Sequence, residues 1–196
     1  MTNVKLSAAE IELMQNAAII LTKNRIIQQV YQLFGNLSES YQQTINAHSC
    51  LPEEVISIAP KIAKGESYEG LPWVCLDYPR YFTQNNVFAI RTFFWWGNFC
   101  SITLQLKGSY LNNIDVQQLL QHCTDWYLCC NTNEWEHHFR ADNYLPVTQF
   151  SAEQIQYLPF LKLAKKIPLH EWDGIDQFFN QHFQKLFQVL ASQTVK

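Results

Sequence analysis

Residues 87–107 read VFAIRTFFWWGNFCSITLQLK, two β-rich runs on either side of the dipeptide Gly97-Asn98. β-branched and aromatic side chains favour strands, and a two-residue loop that begins with glycine fits a type II′ turn, although Gly-Asn can also form type I′. This stretch therefore predicts an aromatic β-hairpin in which Trp96 lies opposite Phe99. It has the clearest local pattern in the chain, so we build the fold outward from it.

Side chains alternate between the two faces of such a hairpin. In the predicted register, one face carries Trp95, Arg91 and the apolar side chains of the second strand, so we expect this face to be the core. The other face becomes polar along the second strand, and we expect it to be partly wet. It leaves four aromatic residues as candidates for an interface with a partner: Phe88, Phe94, Trp96 and Phe99.

Helical patterns flank the hairpin on both sides. Upstream, Ser7 and Glu10 form a capping-box sequence, and apolar residues recur at helical spacing through 11–21 and again through 26–45. Downstream, a similar apolar stripe runs through residues 175–190. The pattern predicts an α+β protein with a largely antiparallel sheet and a central aromatic hairpin, packed by an N-terminal helical pair and a C-terminal helix.

We expect residues 1–196 to form a single domain, because the sequence shows no linker long enough to divide them. The predicted parts are a helical N-terminal part (7–47), a mainly β part (72–148) and a helical C-terminal part (151–192). Residues 51–70 carry several prolines and glycines and are predicted to form a loop.

Further elements are predicted inside these parts. Residues 73–78 form a strand between two prolines. Residues 125–130 and 135–140 form a second hairpin, because polar and apolar side chains alternate in the latter run. Residues 151–166 form a helix that begins with a capping sequence and is interrupted near its middle by a proline.

The composition argues against two classes of partner. The charged fraction is 16%, low against a typical value of about 25%, and the formal net charge is −3. Such a surface produces a weak field, so we expect neither a nucleic acid nor a membrane as partner. The basic cluster Lys162, Lys165 and Lys166 is expected to be solvated in the last turn of a helix, where it suits the helix dipole.

The sequence also predicts a cytoplasmic protein without a cofactor. Its longest apolar run near the N-terminus, residues 17–21, is too short for a signal peptide or a membrane span. The six cysteines show no disulfide spacing and resemble the buried thiols of reduced proteins. Six glycines and no phosphate-binding fingerprint give no sign of a nucleotide site.

Arg91 is the polar residue that most needs an explanation. It falls in mid-strand on the predicted core face opposite Leu104, and a buried guanidinium needs a carboxylate or a ligand anion. Asp77 is the predicted partner if strand 73–78 lies beside the first hairpin strand. Arg91 is then a structural bridge, a side chain that reaches past the sheet edge, or the anchor of a carboxylate or phosphate. The predicted pocket for that anion is lined by Trp73, Tyr78 and Trp95.

Residues 77–82 mix polar and aromatic side chains at the end of a strand, where binding groups often collect. Tyr78, Arg80 and Tyr81 are therefore candidate ligand-binding residues, together with Arg91 and Asp77. The alternative is a proline-directed turn in which Arg80 stacks on an aromatic ring.

Metal and catalytic motifs have little support. Glu134 and His137 form half of a di-iron signature, but a second copy is missing and a strand would separate the two side chains. The His and Cys residues within 122–138 lack the spacing of a zinc site. No Gly-x-Ser-x-Gly sequence is present. We therefore predict no metal site and assign no catalytic residue.

Two functions remain compatible with the sequence. The preferred one is a binding or assembly module in which aromatic side chains form a pocket or a homodimer surface. The second is a small enzyme that acts on a small anionic molecule through Arg91, Asp77 and a histidine. The candidate histidines are His137, His138 and His170. The first function demands less of the sequence.

Overall fold

A computed structural model describes residues 4–47 and 51–193 of the chain. It confirms the predicted α+β fold, in which seven strands form one antiparallel sheet packed with helices. The strands are β1 (Lys61–Tyr68), β2 (Leu71–Phe82), β3 (Val87–Trp95), β4 (Phe99–Lys107), β5 (Tyr127–Cys129), β6 (Tyr144–Pro146) and β7 (Leu161–Pro168). Their order across the sheet is β1-β2-β3-β4-β7-β5-β6.

Two long helices cover one face of this sheet. The helices are α1 (Ala8–Gln15), α2 (Ala17–Ala47), α3 (Glu53–Ile56), α4 (Ser109–Asn112), α5 (Val116–Gln121), α6 (Ala152–Gln156) and α7 (Ile175–Gln193), with 3₁₀ segments at Val147–Gln149 and Leu169–Gly174. The apolar stripes of α2 and α7 meet where the Tyr41 ring stacks on Phe183, with ring centroids 3.7 Å apart. Within the described residues, no helix combines the length and the apolar character needed to span a membrane.

The turn of the aromatic hairpin differs from the predicted one. β3 and β4 pair Trp95 with Phe99, so the loop holds the three residues 96–98 and not two. The Asn98 amide donates to the Trp95 carbonyl (3.1 Å), and Gly97 has a φ of 71°. A type II turn needs this conformation at its third residue. The prediction of a type II′ turn was therefore wrong. A glycine with a positive φ fits the second residue of a type II′ turn and also the third residue of a type II turn, so the sequence alone does not decide between them.

This one-residue difference changes which side chains share a face. Phe88 and Phe94 lie under the helices and are each 3% exposed, while Phe99 lies on the other face and is 8% exposed. The prediction that these three rings are free to meet a partner was wrong, because the chain itself covers them. Trp96 is half-buried at the turn. The β4 side chains that join the core under the helices are Cys100, Ile102, Leu104 and Leu106.

β1 lies in the stretch that was predicted to be a loop. Its glycine serves close packing and not a turn, because a Cβ at Gly65 would lie 2.6 Å from Nε1 of Trp73 on β2. Only a residue without a side chain lets the Trp73 ring lie against the β1 backbone at this point.

β7 lies in the stretch that was predicted to be a helix. The capping box of Ser151 and Gln154 is present, but α6 ends at Gln156. Residues 161–168 instead pair with β4 and with β5. Pairing with strands distant in sequence outweighs the local helical pattern there, because it buries Leu161 completely.

Two smaller predictions also need correction. The N-terminal capping box is present, but the helices divide at Asn16 and not between residues 21 and 26. Of the predicted second hairpin, only residues 127–129 form a strand, which pairs with β6 and β7. Residues 131–142, which we call the cover segment, contain neither helix nor strand.

Candidate ligand pocket

The cover segment lies on the face of the sheet opposite α2 and α7, and a buried lysine holds it there. Lys162 of β7 is 1% exposed and donates its Nζ to the carbonyl oxygens of Glu134 (2.9 Å) and Glu136. Burial lowers the pKa of Lys162 to about 8. The prediction that Lys162 is solvated was wrong, because the strand directs this side chain toward the cover segment.

Side chains of the sheet fix the cover segment at further points. The Glu134 carboxylate accepts from Gln105 (2.9 Å) and Lys107 (2.7 Å) of β4. The Tyr68 hydroxyl of β1 accepts from the backbone amide of His137 (2.8 Å) and from the next amide (3.1 Å). The cover segment is therefore attached to β1, β4 and β7 by hydrogen bonds that involve side chains.

Arg91 lies beneath the cover segment and pairs with Asp77. The register of β2 and β3 places the two residues opposite each other, and Nε and Nη2 of Arg91 donate to the two carboxylate oxygens at 2.6 and 2.8 Å. The predicted ion pair is confirmed. On β4, Arg91 faces Thr103 and not Leu104 as predicted. Burial acts to lower the pKa of Arg91, but the hydrogen bonds and charge of Asp77 outweigh it and raise that pKa.

His137 of the cover segment contacts the same guanidinium. Its Nε2 lies 3.1 Å from Nη1 of Arg91. Since a guanidinium only donates, Nε2 must accept, which places the proton of the neutral ring on Nδ1. Burial, followed by the charges of Lys162 and Arg91, holds the pKa of His137 well below its usual value. His137 is therefore a neutral acceptor at physiological pH.

A cavity of about 350 Å³ opens beside Arg91, between the sheet and the cover segment. Tyr68, Trp73, Phe93 and Trp135 supply aromatic rings to its lining. Its polar lining residues are Lys61, Ser67, Asp77, Arg91 and His137. The cavity thus combines flat apolar surfaces with a small set of polar groups, as small-molecule sites commonly do.

The guanidinium in this cavity retains donors. Arg91 has five N–H bonds, and three of them are directed at Asp77 and His137. In residues 4–47 and 51–193, the other two meet no acceptor within hydrogen-bonding distance. Lys61 adds a cationic side chain that no carboxylate pairs with in the same ranges. The polar end of the cavity is suited to an anion.

The groups of the cavity that could perform chemistry are held in unreactive states. Burial and the charge of Asp77 raise the pKa of the Cys75 thiol to about 11, so this sulfur stays protonated. His137 has the low pKa described above, which makes it a weak base. Within the described residues, no three side chains of the His, Cys, Asp and Glu types are grouped to hold a metal ion.

The structure separates the residues that were predicted to bind a ligand. Asp77 and Arg91 line the cavity together, but Tyr78, Arg80 and Tyr81 do not. Tyr78 is 4% exposed in the core under the helices, and Arg80 donates to the Ala59 carbonyl (3.0 Å). Tyr81 packs edge-to-face on Tyr110. β2 continues past its internal proline, so residues 77–82 form strand and not a rim.

Seven lining residues were not among the predicted site residues, and three of them supply a charge or a ring on which the site depends: Lys61, Tyr68 and Trp135. Lys61 and Tyr68 belong to the strand that was predicted to be a loop, so no argument placed them beside Arg91. Trp135 was assigned to a hairpin strand. Of the predicted pocket rings, Trp73 does line the cavity, while Trp95 lies on the same face and donates Nε1 to the Tyr68 carbonyl (3.2 Å).

Comparisons of the chain with models of protein families, with curated proteins and with solved structures find no match. The functional argument therefore depends on the cavity itself.

Proposed function

We propose that the chain is a binding protein whose cavity beside Arg91 takes a small anionic molecule with a flat apolar part. The observation that carries this proposal is the Arg91 fork, which is fixed by Asp77 and still has two N–H bonds to offer. A planar fork of donors suits a carboxylate or a phosphate. Lys61 supplies a second positive charge at the same cavity.

The aromatic lining defines the other part of the ligand. Trp73 lies against the β1 backbone at Gly65, and Trp135 lines the cavity from the cover segment with 49% of its surface exposed. Rings of this kind bury flat apolar groups at a small cost in side-chain entropy. A volume of about 350 Å³ fits a metabolite-sized molecule and excludes a folded partner.

The protonation states of the cavity residues support binding of the ligand without its chemical conversion. The alternative, a small enzyme that uses Arg91, Asp77 and a histidine, needs a residue that exchanges a proton near neutral pH. His137 is the histidine in contact with Arg91, and its low pKa opposes that role. We place this binding activity in the cytoplasm, where the five described cysteines would remain free thiols.

The proposal is tested by screening carboxylates and phosphate monoesters, aromatic and aliphatic, for a rise in melting temperature. A ligand that binds the folded chain alone must raise it. Hits are then measured by calorimetry against Lys61→Gln and Trp135→Ala. We expect each substitution to weaken binding about tenfold, a loss of about 1.4 kcal/mol. Aromatic anions should bind more tightly than aliphatic ones of equal charge.

Trp172→Ala is the matched control, because this ring is 36% exposed and lies away from the cavity, beside Phe94 on the helix-covered face. It should leave the affinity unchanged. Arg91→Lys, which keeps the charge and removes the fork, should weaken binding further. The proposal is wrong if no anion raises the melting temperature, or if Trp135→Ala and Trp172→Ala bind the hits equally well.

A further inference from the structure

The N-terminal arm, residues 4–25, exposes an unusual amount of apolar surface. Twelve large apolar side chains are exposed in the described residues, and eight of them lie between Val4 and Leu21. No residue of α1 is buried. Exposed apolar side chains that are scattered singly need no explanation, but a contiguous group of them marks an interaction surface.

This apolar surface continues the core stripe of α2. The buried residues of the helix begin at Ile27, and Ile20 lies two turns earlier on the same side. The stripe therefore runs beyond the edge of the sheet, where no element among residues 4–47 and 51–193 covers it. Where the arm leaves the body, a groove of about 470 Å³ is lined by Ile26, Trp96 and Trp172, with Phe94 and Leu169 behind them.

The exposed apolar surface of the arm is large enough to need a macromolecular partner. The eight side chains are between 41% and 86% exposed, and Ile19, Ile20 and Leu21 are consecutive, so they point to different sides of the helix. A helix of a second copy covers part of this surface, and the groove beside Trp96 and Trp172 adds contact area toward the roughly 800 Å² that each partner contributes to a standard interface. A small ligand would leave most of this area in water, so the observations favour a macromolecular partner with a complementary helix.

The charges of the arm are complementary to those of a second, antiparallel arm. α1 contains Glu10 and Glu12 and no basic residue, whereas residues 17–25 contain Lys23 and Arg25 and no acidic residue. In a two-fold contact, if residue i of one copy meets residue j of the other, then residue j of the first copy also meets residue i of the second. An antiparallel pair centred between Ala18 and Ile19 therefore brings Glu12 opposite Arg25 of the partner copy, while Lys23 pairs with Glu66 of its own chain.

We propose that two copies of this chain form a two-fold dimer through antiparallel arms, with α1 of each copy seated in the Trp96–Trp172 groove of the other. Ala17 and Ala18 near the crossing point allow the helices to approach closely. The bend at Asn16 lets α1 leave the line of α2 toward the groove. The proposal is independent of the ligand cavity, which lies on the other face of the sheet.

The test is a charge exchange between Glu12 and Arg25, both exposed. Wild type is measured by light scattering and sedimentation over roughly a hundredfold range of protein concentration, since dimerisation depends on concentration. We expect about twice the chain mass of 23.0 kDa. Glu12→Arg and Arg25→Glu should each weaken the dimer at least tenfold, because each places like charges together. An equimolar mixture of the two variants should form the dimer again.

Leu21→Glu should abolish the dimer and leave the circular dichroism spectrum of the folded body unchanged, because Leu21 is 67% exposed. Tyr157→Ser, at a residue 75% exposed outside the arm, is the matched control and should dimerise normally. A wild-type monomer at every concentration overturns the proposal. So does a dimer that forms equally in the single-charge variants, or a monomeric arm that binds vesicles of anionic lipid.

Discussion

The two faces of the sheet are buried in different ways. Under α2 and α7 the side chains are almost all apolar, and the hydroxyls of Tyr41 and Thr92 satisfy each other at 3.1 Å. The other face has an ion pair and a buried lysine under the cover segment, and a neutral histidine that belongs to the segment. Regular helices fill their face by ridge-and-groove packing. An irregular segment held by polar side chains leaves a cavity with directed donors.

The comparison implies that stability is concentrated on one face, while the proposed binding site lies on the other. Apolar packing supplies most of the free energy of folding, whereas a buried ion pair contributes little beyond the cost of desolvating its charges. Substitutions on the two faces should therefore differ in both size and kind.

The largest effect is expected at the helix-covered face. Phe183→Ala removes a ring that is 1% exposed and stacked on Tyr41, and should lower the free energy of unfolding by about 3 to 5 kcal/mol. Phe139→Ala, which truncates a half-buried ring of the cover segment stacked on Tyr144, should lower it by about 1 kcal/mol. Urea unfolding measures both values. Equal losses would remove the distinction between the faces.

The next effect concerns the ion pair. Arg91→Met should lower the free energy of unfolding by about 3 kcal/mol, because it leaves the Asp77 carboxylate buried without a partner. Replacing both residues, as Arg91→Met with Asp77→Leu, should recover most of this loss while still preventing ligand binding. If the double variant is as unstable as the single one, the pair is a main source of stability and the comparison fails.

The smallest effect at near-neutral pH should come from two histidines. Burial lowers the pKa of His137 well below 6.5 and that of His182 on α7 to about 4. Between the folded pKa and about 6.5 the unfolded chain binds more protons, so stability is lost as the pH falls through this window. His137→Gln and His182→Gln should each reduce the slope of unfolding free energy against pH.

Hydrogen exchange distinguishes the two histidines. At pH 5, His137 gains a proton when the cover segment opens and leaves Arg91, which should favour opening and speed amide exchange there relative to the intrinsic rate. His137→Gln should suppress that increase. His182→Gln should not change it, because His182 contacts Trp126 and Phe178 and not the cover segment. Faster exchange in both variants would contradict the assignment of acid sensitivity to the cavity.

The features that could be predicted from the sequence are those that depend on local spacing and on capping residues. The capping boxes of α1 and α6 and the helix-forming stripe of α7 follow from local spacing. The pairing of Arg91 with Asp77 was predictable because a buried guanidinium requires a carboxylate and an adjacent strand supplied one. The position of Gly97 in its turn was not, since two turn types accept that glycine and differ by one residue in register.

Two different causes account for the remaining errors. β1 pairs with the next strand, β2, across a tight turn at Glu69 and Gly70, both of which have a positive φ, and the prolines and glycines of this stretch were interpreted as a loop. β7 forms because β4 and β5, which are distant in sequence, pair with it, and no local pattern in residues 161–168 reveals those partners. The cover segment depends on Lys162, which the charge pattern assigned to solvent. The lining residues that sequence reasoning had considered are therefore few: Trp73 and Asp77 of β2, Arg91 of β3, and His137.

The attachment of the cover segment has a consequence for how this protein can vary between related chains. Residues 131–142 take part in no strand ladder, and their contacts with Tyr68 and Lys162 use backbone amide and carbonyl groups rather than particular side chains. Substitutions at Trp135 or its neighbours can therefore reshape one wall of the cavity while Lys162 keeps its contacts. The proposed anion-binding floor on β2 and β3 and the wall above it are free to diverge at different rates.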